Sequence, residues 1–150
     1  MASDSNLLGT DRVTQIAIVV RDIEKTASEY ATLLGVEKPG VIVTAGLDEA
    51  HTQYRGAPSE ATAKLCFFDL GQVSIELIEP DGKPSTWQDH LDKHGPGVHH
   101  IAFQITDMEA RLKALAANGM ETIQRGDFTG GRYAYVDSSA KIGVELELLE

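Results

Sequence analysis

The chain is 150 residues long and 42% hydrophobic, with a formal charge of −10 when its five histidines are counted neutral. That length suits one domain with a real core, and the acidity, with no Lys/Arg cluster interleaved with aromatics, argues against a nucleic-acid partner. The single cysteine, Cys66 in the apolar run KLCFF, excludes a disulfide scaffold and points to a buried thiol in a reducing, cytoplasmic setting. No stretch approaches the roughly 18 apolar residues of a membrane span, and the segment MASDSNLLGTDR lacks the basic and apolar regions of a signal peptide, so no membrane partner is expected.

The first eleven residues show no periodicity and are expected to be loose. Residues 15–24, QIAIVVRDIE, open with a β-branched apolar run that reads as a buried strand and reach Asp22, a helix N-cap with Glu24 in the first turn. The helix runs through YATLLG and stops at Gly35, a residue that tolerates a left-handed stop. The stretch PGVIVTAGLDEAHTQYRGAPSEA follows, and then a strand, SIELIEP, at 74–80. The segment DGKPSTWQDHLDKHGPG reads as a short linker helix, with Ser85 or Thr86 as N-cap and Gly95-Pro96-Gly97 as the stop.

Residues 100–109, HIAFQITDME, then repeat residues 15–24, with Ile16/Ile101, Ala17/Ala102, Asp22/Asp107 and Glu24/Glu109 identical. A second helix is expected from Asp107 through LKALAANG to Gly119. The glycine-rich GDFTGGR at 126–132 precedes a strand rather than a helix, so it reads as a mobile turn and not a phosphate cradle. Arg132 and Lys141 stand ready to meet an anionic group at the rim. The end of the chain, VELELLE, matches SIELIEP and sets Glu147 opposite Glu76 and Glu150 opposite Glu79. Each half therefore reads as βαβββ: module one over about 12–80, a linker helix over about 85–94 and module two over about 98–150, in one α+β domain spanning 1–150. The first half carries about 13 extra residues, placed within the 39–62 region, which supplies His51, Tyr54, Arg55 and Glu60. Long loops of this kind in compact domains often serve as lids or binding segments.

The repeat superimposes Gln15 on His100 and Glu76 on Glu147. Taken singly, each glutamate fits the solvent face of an antiparallel sheet, and a lone histidine fits a hydrogen-bonded core position. The symmetric recurrence of all four singles them out. A carboxylate within an apolar strand loses its hydration, and a metal cation is the most general compensation. If the two halves curve toward each other, an imidazole, two carboxylates and an amide oxygen converge. Such a set suits one divalent ion, Zn, Mn, Co, Ni or Fe(II).

The segments QIAIVVRDIEKTASEYATLLG, SIELIEP, GVHHIAF and GGRYAYVDSSAKIGVELELLE resemble the vicinal oxygen chelate superfamily, and the likeness covers nearly the whole chain. That superfamily includes glyoxalase I, methylmalonyl-CoA epimerase, extradiol dioxygenases and antibiotic-resistance proteins. The resemblance implies two pseudo-repeated βαβββ modules forming a cupped mixed sheet around a divalent metal, with Gln15, Glu76, His100 and Glu147 as ligands. IELIEP, the linker STWQDHLDKHGPGVHHIAF and the tail GGRYAYVDSSAKIGVELE are most similar to methylmalonyl-CoA epimerase. Those epimerases usually carry histidine at the first ligand position, where this chain has Gln15, giving a quartet that resembles the eukaryotic glyoxalase I pattern. Glyoxalases of that pattern bind glutathione through an arginine and an asparagine at positions where this chain has Val19 and Pro80.

The implied chemistry is metal-dependent epimerisation or isomerisation, by enolate-stabilised proton transfer beside a carbonyl or thioester. Glu147 serves as ligand and base and Glu60 as the second acid/base. The substrate is a small molecule, an acyl-CoA in the epimerase version, and a homodimer is implied by analogy. The alternatives are a glyoxalase I-like lactoylglutathione lyase and a metal-free module that binds a small molecule such as an antibiotic. Glu145 shares a strand face with Glu147 and competes for its ligand place, whereas His99 is expected to face away from His100. Gln72, Ser74, Gln104, Tyr133 and Tyr135 are candidates for the pocket lining.

Overall fold

Each half of the chain lays down its strands in the order that the repeat predicts. The computed structural model describes residues 6–150. The first half supplies β1 (Val13–Val19), α1 (Ile23–Leu34), β2 (Ile42–Val43), α2 (Leu47–Ala50), β3 (Gln53–Tyr54), β4 (Ala57–Pro58), β5 (Ala63–Asp69) and β6 (Ser74–Pro80). The helix α3 (Thr86–His94) leads into β7 (Gly97–Gln104), α4 (Met108–Ala117), β8 (Thr122–Phe128), β9 (Gly131–Val136), α5 (Ser139–Ile142) and β10 (Glu145–Leu149). Setting aside α2, β3, β4 and the short α5, both halves are βαβββ. Among the described residues, no helix is long and apolar enough to cross a membrane.

All the strands join one sheet in the order β2-β5-β6-β1-β7-β10-β9-β8-β3-β4. The first strands of the two halves, β1 and β7, run antiparallel at its centre, each with the last strand of its own half alongside in parallel. The insertion is folded rather than loose. It places β3 against β8, pairing Gln53 with Arg125 and Tyr54 with Gln124, and so covers an edge whose N–H and C=O groups would otherwise be unpaired. Only residues 59–62 separate β4, at one end of the strand order, from β5, next to the other end. A chain that short spans at most about 18 Å from Pro58 to Ala63. The sheet must therefore curl into a half-barrel, with the insertion as a strap across it.

The helices α1 and α4 cover the outer face. Asp22 caps α1 by accepting the Lys25 N–H, and Gly35 ends it at φ 67°. Ile23, Ala27 and Ala31 pack on Cys66, Phe68 and Leu77, and burial pushes the Cys66 thiol pKa up. On the other half, Met108, Leu112 and Leu115 pack on Leu146 and Leu148. Strand alternation explains the second glutamate pair of the repeat. Glu79 and Glu150 each stand three residues beyond a site glutamate and so face the helices, where Glu79 accepts the Ile23 N–H at 3.1 Å and Glu150 accepts the Met108 N–H at 2.9 Å. Each places a carboxylate at the positive end of its module's helix.

Two local expectations are revised. Residues 6–9 are not loose: the Asn6 side chain accepts the N–H groups of Leu8 and Gly9, and Leu7 and Leu8 pack against the α4 cluster. Residues 1–5 of that segment lie outside the described residues. The glycine-rich turn is an ordered hairpin whose two-residue loop needs Gly130 at φ +89°. Beside it, a Cβ on Gly131 would stand 2.5 Å from the backbone oxygen of Glu150, and that oxygen accepts the Arg132 N–H at 2.8 Å. Gly131→Ala is therefore expected to cost about 1–3 kcal/mol, because backbone must shift to accommodate it. Urea titration followed by far-UV circular dichroism measures the loss.

Candidate metal centre

Strand register brings the repeat positions to the concave face in two adjacent rows. In one row Glu76 of β6, Ala17 of β1, His100 of β7 and Glu145 of β10 are neighbours; in the next, Ser74, Gln15, Ala102, Glu147 and Tyr135 are neighbours. Ala17 and Ala102 are themselves a repeat pair, and both are fully buried. Their small side chains separate the larger polar ones.

Glu76, His100 and Glu147 come together there, each offering a ligand atom within 4.8 Å of the others. All three are buried, at 6%, 0% and 5% exposure. His100 Nε2 lies 3.5 Å from Glu76 Oε2 and 2.7 Å from Glu147 Oε2. The closer pair is nevertheless out of hydrogen-bond alignment, so His100 Nε2 and Glu147 Oε2 have no hydrogen-bond partner. Buried polar atoms are rarely left so, since each costs about 1–3 kcal/mol. One nitrogen and two carboxylate oxygens turned toward one point fit a divalent cation. The local electrostatics agree. Burial pushes the Glu76 pKa up, with the Glu147 charge adding to the shift. Burial opposes the His100 imidazolium, but the facing carboxylates outweigh it and carry its pKa to about 9.

Gln15 lies on the same face, half-buried, one row from Glu76. Glu145 also lies on this face, but its Oε2 accepts the Ser138 N–H at 3.3 Å and so holds the turn before α5. Glu60 is exposed on the connection between β4 and β5, between the buried Ser59 and Ala61. Tyr135 is buried beside the triad, its ring centroid 4.9 Å from that of His100, and its hydroxyl accepts the Trp87 Nε1–H at 3.0 Å. Tyr133 is half-buried and accepts from Gln124, while Gln104 and Gln72 are exposed.

Strict alternation misplaces His99. The pairing of β1 with β7 shifts register between Ala17/His100 and Ile18/Val98, leaving His99 as the extra residue of a β-bulge. Its ring thus turns to the concave side, 2% exposed, with its centroid 5.1 Å from that of His100 and 5.3 Å from that of Tyr135. The repeat carries a sign of this: Thr14, which aligns with His99, sits at the other register shift of the same strand pair.

The linker helix α3 does more than join the halves. It lies in the concave face, where Trp87 and Leu91 pack with Ala17, Val19, Ile78 and Tyr135. Between α3, the strap and β10 opens a cavity of about 460 Å³, lined by Tyr54, Arg55, His90, Lys93, His99 and Glu145 among others. None of the triad residues lines it; His99, the chain neighbour of His100, and Glu145, two residues before Glu147, do. All three triad residues come from one chain.

Known proteins share this arrangement of sheet and sequence. The uncharacterized protein YqjC of Bacillus subtilis is 30% identical over 143 residues, covering 93% of this chain and 92% of its own. An ethylmalonyl-CoA/methylmalonyl-CoA epimerase of Cereibacter sphaeroides is 30% identical over 117 residues, 77% of each chain. The crystal structure of methylmalonyl-CoA epimerase from Mycobacterium tuberculosis superimposes with a TM-score of 0.65 at 21% identity, over 97% of this chain and 90% of the other, and so shares the fold. The family model of the glyoxalase/bleomycin resistance protein/dioxygenase superfamily matches residues 14–136, a span that holds module one and most of module two but ends before β10, with two of the three triad residues, and the chain belongs to that superfamily.

Proposed function

We propose that the chain is a divalent-metal-dependent epimerase or isomerase that moves a proton at a carbon beside a carbonyl or thioester, in the manner of methylmalonyl-CoA epimerase. The observation that carries this reading is the buried Glu76-His100-Glu147 triad with two of its atoms unpartnered. Gln15 completes the set as a fourth ligand, supported by its row on the concave face and its half-burial. A divalent cation held by these residues supplies Lewis-acid polarisation of a carbonyl oxygen.

The rest of the chemistry belongs to the chain itself. Glu147 stands at the end of the donor row nearest Tyr135 and takes the proton from the substrate carbon. Tyr135, Trp87 and α3 close that side against water, which strengthens every charge interaction within the site. Glu60 is assigned as the second acid/base for a substrate that lies along the strap, and Glu60→Gln tests that role separately. Arg55 and Lys93 stand on the cavity wall, both paired with Asp89, and an anionic substrate tail would have to compete with that carboxylate for them. The names of the epimerase relatives favour an acyl-CoA.

The test is α-proton exchange from methylmalonyl-CoA in deuterated water, with metal-loaded and metal-free protein side by side. Exchange by the loaded form alone is the expected result. Bound metal without exchange moves the substrate to another carbonyl compound, whereas a protein that takes up no divalent ion fits a metal-free small-molecule binding module instead.

A further inference from the structure

His100 faces the two carboxylates through Nε2, and its other ring nitrogen is also engaged. His100 Nδ1 lies 2.8 Å from His99 Nδ1, and His99 Nε2 lies 3.2 Å from the Thr86 hydroxyl. Both rings are buried. Two ring nitrogens at hydrogen-bond distance need one proton between them, so one ring must donate and the other accept.

We propose that His99 is a positioning residue for His100: it accepts the His100 Nδ1–H and thereby holds Nε2 toward Glu76 and Glu147. This inference rests on the reading of the triad as a metal centre.

Three observations set the direction of the bond. If His99 were the donor, the proton of a neutral His100 would sit on Nε2, the atom that has to bind a cation. His99 is also enclosed by the rings of His90, His100 and Tyr135. The Thr86 hydroxyl, 3.2 Å from His99 Nε2, is placed to accept a proton from that nitrogen, which leaves Nδ1 with a free lone pair. Finally, Thr86 is itself held. Its N–H donates to the buried Gln124 side chain at 2.9 Å, and it is the first residue of α3, directly after the Ser85 cap. Gln124 in turn donates to Tyr133 at 3.1 Å. A continuous line of buried groups thus runs from β8 through the start of α3 to the imidazole.

Metal-bound histidines generally give their second N–H to a carboxylate, a carbonyl or water, and losing that partner costs about 10–100-fold in metal affinity. In this chain a second imidazole takes that place, and it does so because of the bulge. Thr14, at the matching position, instead donates its hydroxyl to the Ala102 carbonyl at 3.1 Å.

The experiment is Co(II) titration of metal-free wild type, His99→Phe and His99→Asn, reading the visible spectrum and the Kd by chelator competition, with circular dichroism to establish folding. Phenylalanine fills the space without an acceptor, whereas the asparagine side-chain oxygen can take the place of Nδ1. The expected result is a 10–100-fold weaker Kd and an altered spectrum for His99→Phe, with most of the affinity restored in His99→Asn. A folded His99→Phe that binds Co(II) as tightly as wild type overturns the proposal. If His99→Phe does not fold, Thr86→Val decides through the same Kd, together with 15N NMR of the wild-type rings. A weakened Kd and a proton on His100 Nδ1 support the assignment, and an unchanged Kd or a His99 Nδ1–H overturns it. Wild-type protein that takes up no Co(II) overturns the metal reading itself, and this inference with it.

Discussion

Glu147→Gln is expected to weaken divalent-metal binding by more than about 100-fold, exceeding what the loss of a supporting partner alone costs. The substitution keeps the shape of the side chain and removes one of two carboxylates that converge on His100 Nε2. It also separates two explanations of the triad. In a purely structural ion pair, removing one partner of a buried charge costs about 3–5 kcal/mol of stability. In a metal centre, the unpartnered Glu147 Oε2 and His100 Nε2 belong to a third body, and a further loss appears when metal is present. Metal at a thousand times its Kd is expected to stabilise wild type by about 4.1 kcal/mol, on the order of 10 °C in Tm for a chain of this size. Glu147→Gln is expected to show little of that gain. Thermal melts of wild type and variant, with chelator and with added Zn(II), Co(II) or Ni(II), give all four values in one series.

Trp87→Ala is expected to destabilise the protein by about 3–5 kcal/mol. Trp87 is 4% exposed and is the point at which α3 holds the concave face. Its ring meets Tyr135 edge-on at 6.2 Å, and its Nε1–H donates to the Tyr135 hydroxyl. Truncation leaves both a cavity and an unpaired phenol, and burial already keeps the Tyr135 pKa well above its usual value. Trp87→Phe retains most of the packing and loses only the hydrogen bond, so its expected cost is about 1–3 kcal/mol. Urea titrations followed by circular dichroism measure both. Equal losses in the two variants would assign the energy to the hydrogen bond rather than to the ring.

Much of the fold could be read from the chain because its signals are local and occur twice. The strand around Gln15, the Asp22 cap and the Gly35 stop each follow from a few neighbouring residues, and the second module repeats them at His100, Asp107 and Gly119. The face shared by Glu76, His100 and Glu147 was equally legible, since side chains alternate along a strand and the repeat aligns the two strands that matter. Glu79 and Glu150 show the limit of that reading. The repeat paired them, yet their work as helix caps depends on how α1 and α4 lie across the sheet.

Sequence by itself therefore determined the two βαβββ halves, the linker helix and the polar residues that recur in apolar strands, because hydrophobic period, capping and turn chemistry act within a few residues. Tertiary structure alone decided the rest. The strap pairs with β8 because a distant sheet edge was there to be covered, and α3 enters the cup because Trp87 and Leu91 find their burial there. His99 turns toward His100 because the antiparallel pairing of β1 and β7 absorbs an extra residue at that point. Each of these outcomes is set by contacts between segments far apart in the chain, where burial and strand register override local preference.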